Sequence, residues 1–212
     1  MRAILTGPMA HRAPSCAATA VILDATLARE RPDRRHGTAA MGVYLQIAGP
    51  DDTLAAVAAL RPDGIVLSRC EGGRDVARLG ARLAVIEAAA GLPDGATGIL
   101  AMIENAGGVL GLRTLGGSSA RLGAILWDAE AMALAIDAAP RDRGWRLIPP
   151  LSQVRSAVRI AAAQAGVPAV DTAFPEHAPR VAFLRDVEAA QRDGFAAKLA
   201  TSAEQADLVA SR

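Results

Sequence analysis

Acidic side chains follow several short apolar runs of this sequence. Glu104 closes the run Ala-Met-Ile-Glu and precedes small residues, which leave room for a ligand. Asp128 and Glu130 come just after another apolar run. Carboxylates that converge on one place repel each other unless a cation or basic side chains lie between them. Because Mg²⁺ is held by one or two carboxylates together with water and substrate oxygens, the pattern favours a magnesium site.

The polar residues at the ends of all such runs form a larger set of candidates for a functional site. They are Asp24, Gln46, Ser68, Arg69, Glu104, Asp128, Glu130, Asp171 and Lys198. Helix capping is an alternative role for Asp24 and Asp171, because an Asp after a strand is a common helix start. For one of Asp128 and Glu130, the alternative is an ordinary solvated position in a loop.

Lys198 is the only lysine in a chain that contains 22 arginines. A compact amine has uses that a guanidinium lacks, so a single lysine is a candidate for a specific role. One such role is a Schiff base with a carbonyl substrate. The alternatives are a charge partner for neighbouring carboxylates, or an amine that extends to the rim of the barrel.

Short apolar runs alternate along the chain with longer segments that have helical spacing. The predicted strands are residues 3–6, 20–24, 42–48, 64–68, 98–104, 122–127, 168–171 and 196–201. The predicted helices are residues 54–60 (capped within 51–53), 73–90, 151–165 and 175–192 (ended by Gly194). Continuous apolar runs are typical of parallel strands that are buried on both faces. Eight strands alternating with helices predict one (β/α)8 TIM-barrel domain over residues 1–212, of the α/β class, with its site at the C-terminal strand ends. A doubly wound open sheet is the alternative architecture.

Composition limits the kinds of partner that we expect. The 23 basic and 22 acidic residues nearly cancel, so nothing favours binding to nucleic acid or to an anionic membrane. No apolar stretch is long enough for a membrane span or for the core of a signal peptide. The two cysteines, Cys16 and Cys70, have no metal-binding spacing and are expected to be reduced thiols. We therefore expect a cytoplasmic protein that acts on a small molecule.

Five segments, in order along the chain, together resemble the citrate lyase β-subunit-like branch of the HpcH/HpaI aldolase superfamily. They are residues 20–24, 62–67, 101–107, 155–172 and 194–200. Glu104 matches the glutamate of the family's Ile-Glu-x-Ala/Pro-x-Gly element, which is a magnesium ligand. Lys198 matches the lysine of the family's Gly-Phe-Asp-Gly-Lys segment. The sequence is thus similar to a short form of the family, without the C-terminal extension of many relatives.

The chain departs from the family pattern at several positions near the expected site. Gln46 stands where the family has an arginine that grips the substrate carboxylate, and Arg69 follows Ser68 in place of a Pro-Lys pair. The family's second metal ligand, the Asp of Gly-x-x-Asp, aligns with Glu130, and Asp128 is the alternative ligand. Trp127 replaces the glycine of that element, so its ring is expected to crowd the site.

The resemblance implies a magnesium-dependent carbon–carbon lyase that acts on a 3-hydroxyacyl-CoA thioester. The metal ligands would be Glu104 with Glu130 or Asp128. Arg69, Lys198 and Asp24 would serve catalysis, and Gln46 and Asp171 would contact the substrate. By the same resemblance, the chain would assemble as a homo-oligomer, most commonly a trimer. Two alternatives remain: a catalytically degenerate paralogue that acts as a binding or assembly protein, and a metal-dependent aldolase that uses free 2-oxo acids.

Overall fold

Eight parallel strands pair in chain order and close into a barrel, because the last strand pairs with the first. The computed structural model describes residues 1–7, 10, 16–28, 41–50 and 54–212. The strands β1 to β8 are Arg2–Leu5, Ala20–Asp24, Gly42–Ile47, Gly64–Leu67, Gly98–Ile103, Leu122–Trp127, Ala169–Asp171 and Ala197–Ala200. All eight predicted strands form, and their bounds agree with the prediction to within one residue. The closed barrel confirms the predicted fold and excludes the open sheet.

Helices follow most of the strands and cover the outside of the barrel. In the described part of the chain, α1 to α7 are Ala55–Leu60, Gly73–Ala89, Ala106–Gly111, Ala129–Ala135, Pro149–Ala165, Arg180–Arg192 and Ala203–Ala210. The predicted helices are confirmed, although the cap expected within residues 51–53 lies outside the described residues. The helix predicted from residue 175 begins at Arg180, after Pro179, whose carbonyl accepts hydrogen bonds from Ala182 and Phe183. Proline lacks an N–H, so it suits the start of a helix better than its interior.

The apolar core has two layers, one on each side of the barrel wall. The inner layer contains alternate strand residues such as Ile22, Val66 and Leu126 and includes no residue of a helix. The outer layer contains the strand residues between them together with apolar residues of the helices, such as Val158 of α5 and Phe183 of α6. Since successive strand residues face opposite sides, membership of a layer tells which way each strand-end side chain points.

No helix among the described residues is long and apolar enough to cross a membrane.

Candidate active site

One polar residue at the C-terminal end of each strand faces the opening of the barrel. Each lies two positions after an inner-layer residue or, in β3, after Tyr44, which packs against that layer, so alternation turns it towards the opening. These residues line two cavities of about 560 and 700 Å³, and Gln46 lines both. We call them the mouth ring; its members are Thr6, Asp24, Gln46, Ser68, Glu104, Asp128, Thr172 and Thr201.

Glu104 is the half-buried carboxylate that follows β5. Its Oε2 accepts a hydrogen bond of 2.5 Å from the backbone N–H of Arg69. Burial raises the pKa of Glu104, and the negative charge of Asp128 raises it further; the N–H and guanidinium of Arg69 oppose this rise without cancelling it. Glu104 and Asp128 therefore repel each other across the mouth, where Glu104 lines the first cavity and Asp128 the second.

Asp128 is the residue that caps the N-terminus of α4. Its Oδ1 accepts hydrogen bonds from the backbone N–H groups of Glu130 and Ala131, at 2.9 and 3.1 Å. This is the usual capping arrangement, in which the side chain satisfies the free amides of a first helical turn. Glu130 lies exposed in the same turn and lines the same cavity. Of the two acids, Asp128 is the one whose charge acts on Glu104.

The two carboxylates leave one oxygen each for a ligand. Among the described residues, none donates a hydrogen bond to Oε1 of Glu104 or to Oδ2 of Asp128. Mg²⁺ takes one or two carboxylates and completes its shell with water and substrate oxygens, so this donor set fits it. No cluster of three or more His, Cys, Asp or Glu side chains within the described ranges could hold a metal ion. A magnesium ion on these two oxygens would take its remaining ligands from water and substrate.

Asp24, Gln46 and Ser68 line the cavity that Glu104 also lines. The Oδ1 of Asp24 accepts hydrogen bonds from the N–H and hydroxyl of Thr26, at 2.8 and 2.6 Å, which forms a tight turn after β2. The Nε2 of Gln46 donates to the Oγ of Ser68 at 2.8 Å. The amide of Gln46 is thus held by a neighbour within the mouth ring.

Arg69 lies beside the mouth ring with an exposed side chain and a strained backbone. Its φ of +49° falls in the left-handed region, which non-glycine residues adopt at a cost. The guanidinium donates to the carbonyl of Ala48 through Nε at 3.3 Å and through Nη2 at 3.2 Å. The backbone N–H of the same residue donates to Glu104, so Arg69 contacts the candidate site through its main chain as well as lining it with its side chain.

Lys198 and Asp171 do not reach the mouth, in contrast to their predicted roles. The inward-facing residues of β8 are Ala197 and Leu199, so Lys198 points outward to the helices. Its Nζ lies 3.2 Å from Oδ2 of Asp171 and 2.6 Å from Oδ2 of Asp186 on α6. The side chains of Lys198 and Asp171 are both fully buried. This position matches the charge-partner alternative and gives neither residue contact with a substrate in the mouth.

Trp127 also faces away from the mouth, although it directly precedes Asp128. Its ring is fully buried in the outer core layer, and its Nε1 donates to Oδ1 of Asp171 at 3.0 Å. The expected crowding of the site is therefore wrong, because a strand residue and its successor point to opposite sides of the wall. This hydrogen bond instead connects Trp127, which directly precedes Asp128, to the buried side chain of Asp171.

Thr172 ties the residue after Asp128 to the same buried group of charges. Its Oγ1 accepts a hydrogen bond of 2.9 Å from the N–H of Ala129. Its carbonyl accepts a bond of 2.7 Å from Nζ of Lys198. The lone lysine thus acts on the candidate site from behind the barrel wall, by holding the chain on both sides of Asp128.

Reasoning from the sequence missed the threonines of the mouth ring. They are Thr6, Thr172 and Thr201. At the ends of β7 and β8 it selected the charged residues Asp171 and Lys198, which have the residue types expected of an active site. Counting by twos from the inward-facing Val170 and Leu199 identifies the threonines instead.

The sequence model of the HpcH/HpaI aldolase/citrate lyase family matches residues 45–203 of the chain. The chain belongs to this family. The match covers three quarters of the chain and contains Gln46, Glu104, Asp128 and Thr201 of the mouth ring, so the resemblance inferred from the sequence is confirmed. None of the curated protein sequences matches the chain.

Solved structures that are similar to this chain share its whole barrel. RipC from Yersinia pestis is 24% identical, with a TM-score of 0.74, covering 100% of this chain and 94% of the other. The citrate lyase beta subunit of Mycobacterium tuberculosis complexed with oxaloacetate and magnesium is 18% identical, with a TM-score of 0.74 and coverage of 99% and 95%. CitE from the same organism, with magnesium, acetoacetate and coenzyme A, is 18% identical, with a TM-score of 0.76 and coverage of 98% and 79%. At these identities the likeness shows a common fold.

Proposed function

We propose that this HpcH/HpaI family member is a magnesium-dependent carbon–carbon lyase. Its substrate would be a 3-hydroxyacyl thioester of CoA, of the citryl-, malyl- or citramalyl-CoA kind. The observation that carries the proposal is the pair formed by Glu104 and Asp128, in which each carboxylate is fixed through one oxygen and open at the other. The magnesium, oxo-acid and coenzyme A complexes of the M. tuberculosis proteins support the same chemistry.

Oε1 of Glu104 and Oδ2 of Asp128 would hold the metal, and Glu130 is the alternative second ligand. Bound Mg²⁺ would supply Lewis-acid and templating chemistry to the hydroxyl and carboxylate oxygens of the substrate. The raised pKa of Glu104 sets a lower limit on the pH at which this carboxylate is ionised and ready to bind a cation.

The protein's own groups would carry the substrate and the proton. We assign Arg69, which is exposed at the rim, to the carboxylate of the oxo-acid half, because a guanidinium forms strong paired bonds with carboxylates. Asp24, in the same cavity, would accept the hydroxyl proton. The bond between the carbinol carbon and the thioester α-carbon then breaks. Its electron pair passes to the thioester as an enolate, which takes up a proton, and the carbinol carbon becomes the 2-oxo carbon.

A catalytically degenerate paralogue is the second candidate function. The observation that favours it is Gln46, whose amide cannot replace the charge of the family's arginine and is bonded to Ser68. A hydrogen bond to a charged group contributes roughly 1.5–3 kcal/mol, so the exchange alone could weaken substrate binding about ten- to a hundredfold.

A metal-dependent aldolase that uses free 2-oxo acids differs from the proposed lyase by having no affinity for coenzyme A.

The first test is a calorimetric titration of Mg²⁺ into the protein, with and without oxaloacetate. We expect binding in the millimolar range or tighter, strengthened by the oxo acid and lost in Glu104→Gln and Asp128→Asn. Glu188→Gln is the matched control, because Glu188 is an exposed glutamate of α6 that lines neither cavity. Parent-like binding in Glu104→Gln would refute the metal assignment, and no binding by the parent protein would favour the degenerate paralogue. Assembly as a homo-oligomer in the cytoplasm stays a prediction.

A further inference from the structure

A groove rich in arginine lies on the side of the barrel, between α5, α6 and the segment that precedes α5. Its volume is about 600 Å³. Four of its 11 lining residues are arginines, whereas arginine makes up 22 of the 212 residues of the chain. The four are Arg146, Arg155, Arg185 and Arg192. The enrichment is therefore well above what the composition of the chain would give.

Two acids near this groove are paired with basic side chains, and a third, Asp142, accepts a hydrogen bond of 2.9 Å from the backbone N–H of Arg146 in the groove wall. Asp186 is the one acid among the lining residues, and it forms ion pairs with Arg141 at 3.1 Å and with Lys198 at 2.6 Å. Asp193, nearby, accepts bonds from Arg155 at 2.5 Å and from Arg192 at 3.1 Å. Two groove arginines are thus compensated by protein carboxylates.

The remaining two arginines have guanidinium groups that are open to a ligand. The guanidinium groups of Arg146 and Arg185 form no ion pair with any described residue, and both side chains are exposed. A concave site with two such groups attracts anions, and the planar fork of a guanidinium matches phosphate oxygens as well as carboxylates. Several guanidinium groups around one groove suit a ligand with more than one negative charge. A phosphate group is therefore a better fit than a single carboxylate.

The ring of Trp145 lines the same groove and supplies a flat surface beside the arginines. It also packs against Phe174 and His177, at centroid distances of 6.2 and 5.3 Å, and these two residues line the mouth. A base or other planar group next to the phosphates could stack on the indole. The aromatic contacts place the groove next to the candidate active site but outside it.

We propose that this groove binds the phosphate groups of a small anion, either a nucleotide or an inorganic polyphosphate. The proposal does not depend on the lyase activity, because the groove shares no lining residue with the mouth. Arg146 and Arg185 would bind the phosphates, and Trp145 would contact the rest of the ligand.

The test is calorimetric titration of the full chain with ADP and, separately, with inorganic pyrophosphate, while the tryptophan fluorescence of the protein is followed. We expect binding that weakens as salt is added, because the charges are exposed. Arg146→Gln and Arg185→Gln should each weaken it about tenfold, as expected for loss of one charge-assisted hydrogen bond. Equal affinity for ADP and pyrophosphate would assign the site to phosphate alone, whereas tighter binding of ADP would add a contact with the nucleoside.

Arg74→Gln is the matched control, since Arg74 is an exposed arginine of α2 that does not line the groove. Thermal melting should show that all three variants fold like the parent. The proposal is overturned if neither ligand binds, or if the double variant of Arg146 and Arg185 binds as tightly as the control. Loss of Mg²⁺ binding in Glu104→Gln, with ADP binding intact, would separate this site from the mouth.

Discussion

Nζ of Lys198 and Oδ2 of Asp171 lie 3.2 Å apart behind the barrel wall, with both side chains fully buried. Removing one partner of a buried ion pair leaves an uncompensated charge, which costs roughly 3–5 kcal/mol. We therefore expect Lys198→Met to lower the free energy of unfolding by about 3 kcal/mol in urea denaturation, since Arg155 still compensates Asp171. Arg212→Gln is the control, because it breaks an exposed pair with Glu188 and should cost less than about 1 kcal/mol.

The same placement predicts that Lys198 is not a Schiff-base nucleophile. Borohydride reduction in the presence of oxaloacetate should leave Lys198 unmodified, as judged by peptide mass spectrometry. A trapped adduct on Lys198, or a Lys198→Met variant as stable as the parent, would contradict the buried structural role.

Stability should fall in acid through the titration of Asp171. Burial would raise the pKa of this carboxyl, but the charges of Lys198 and Arg155 outweigh burial and hold the pKa below its ordinary value of 3.8. A group with a depressed pKa in the folded state stabilises the fold above its unfolded pKa and loses that contribution as the pH falls through the folded pKa. We expect the free energy of unfolding to decline below about pH 4 in the parent. In Asp171→Asn, which starts less stable, the decline should be shallower; an equal slope in both proteins would argue against this assignment.

The barrel was predictable from the sequence because its determinants are local. Continuous apolar runs gave all eight strands, and the left-handed Gly194, with φ of +81°, follows the end of α6 as expected. The local sequence pattern does not show whether a charged side chain at a strand end faces the inside or the outside of the barrel. Asp171 tolerates burial only because Lys198 and Arg155 neutralise its charge. These partners lie 27 and 16 residues away from it in the sequence. Such pairing is decided by packing. In the sequence alone, the charged residues of a buried ion pair therefore cannot be distinguished from catalytic residues.

The pKa of Glu104 should fall when Asp128 loses its charge. Burial and Asp128 both raise this pKa above the ordinary value of 4.5, so Asp128→Asn removes one of the two causes. The titration of Glu104, followed by carbon NMR of its carboxyl, should then shift to lower pH, whereas Glu130→Gln should leave it nearly unchanged. The raised pKa also predicts that Mg²⁺ binding in the parent weakens as the pH falls towards that pKa, because the protonated carboxyl cannot bind the metal. If the pKa of Glu104 shifts more in Glu130→Gln than in Asp128→Asn, then Glu130, and not Asp128, is the acid that acts on Glu104.

Thr172 should affect metal binding through Asp128. Thr172→Val keeps the shape but removes the acceptor for the N–H of Ala129, a buried group whose loss of a partner costs roughly 1–3 kcal/mol. We expect weaker Mg²⁺ binding by calorimetry, with affinity restored in Thr172→Ser, which keeps the hydroxyl. Because Thr172 also lines the mouth, Thr201→Val serves as a comparison: Thr201 lines the same cavity but does not contact the chain beside Asp128. Equal loss in both valine variants would mean that the hydroxyls contact the ligand, and that the hydrogen bond to Ala129 is not the cause.

Arg69 should affect stability and substrate binding in opposite directions. At φ of +49° a glycine is relieved of the strain that a side chain imposes, so Arg69→Gly should raise the free energy of unfolding by about 1 kcal/mol, while Arg69→Ala should not. Both variants keep the backbone N–H that holds Glu104, so Mg²⁺ alone should still bind. Both lose the guanidinium, so the increase in affinity that oxaloacetate gives should disappear. If oxaloacetate still strengthens Mg²⁺ binding in Arg69→Ala, another group binds the substrate carboxylate, and the role assigned to Arg69 is wrong.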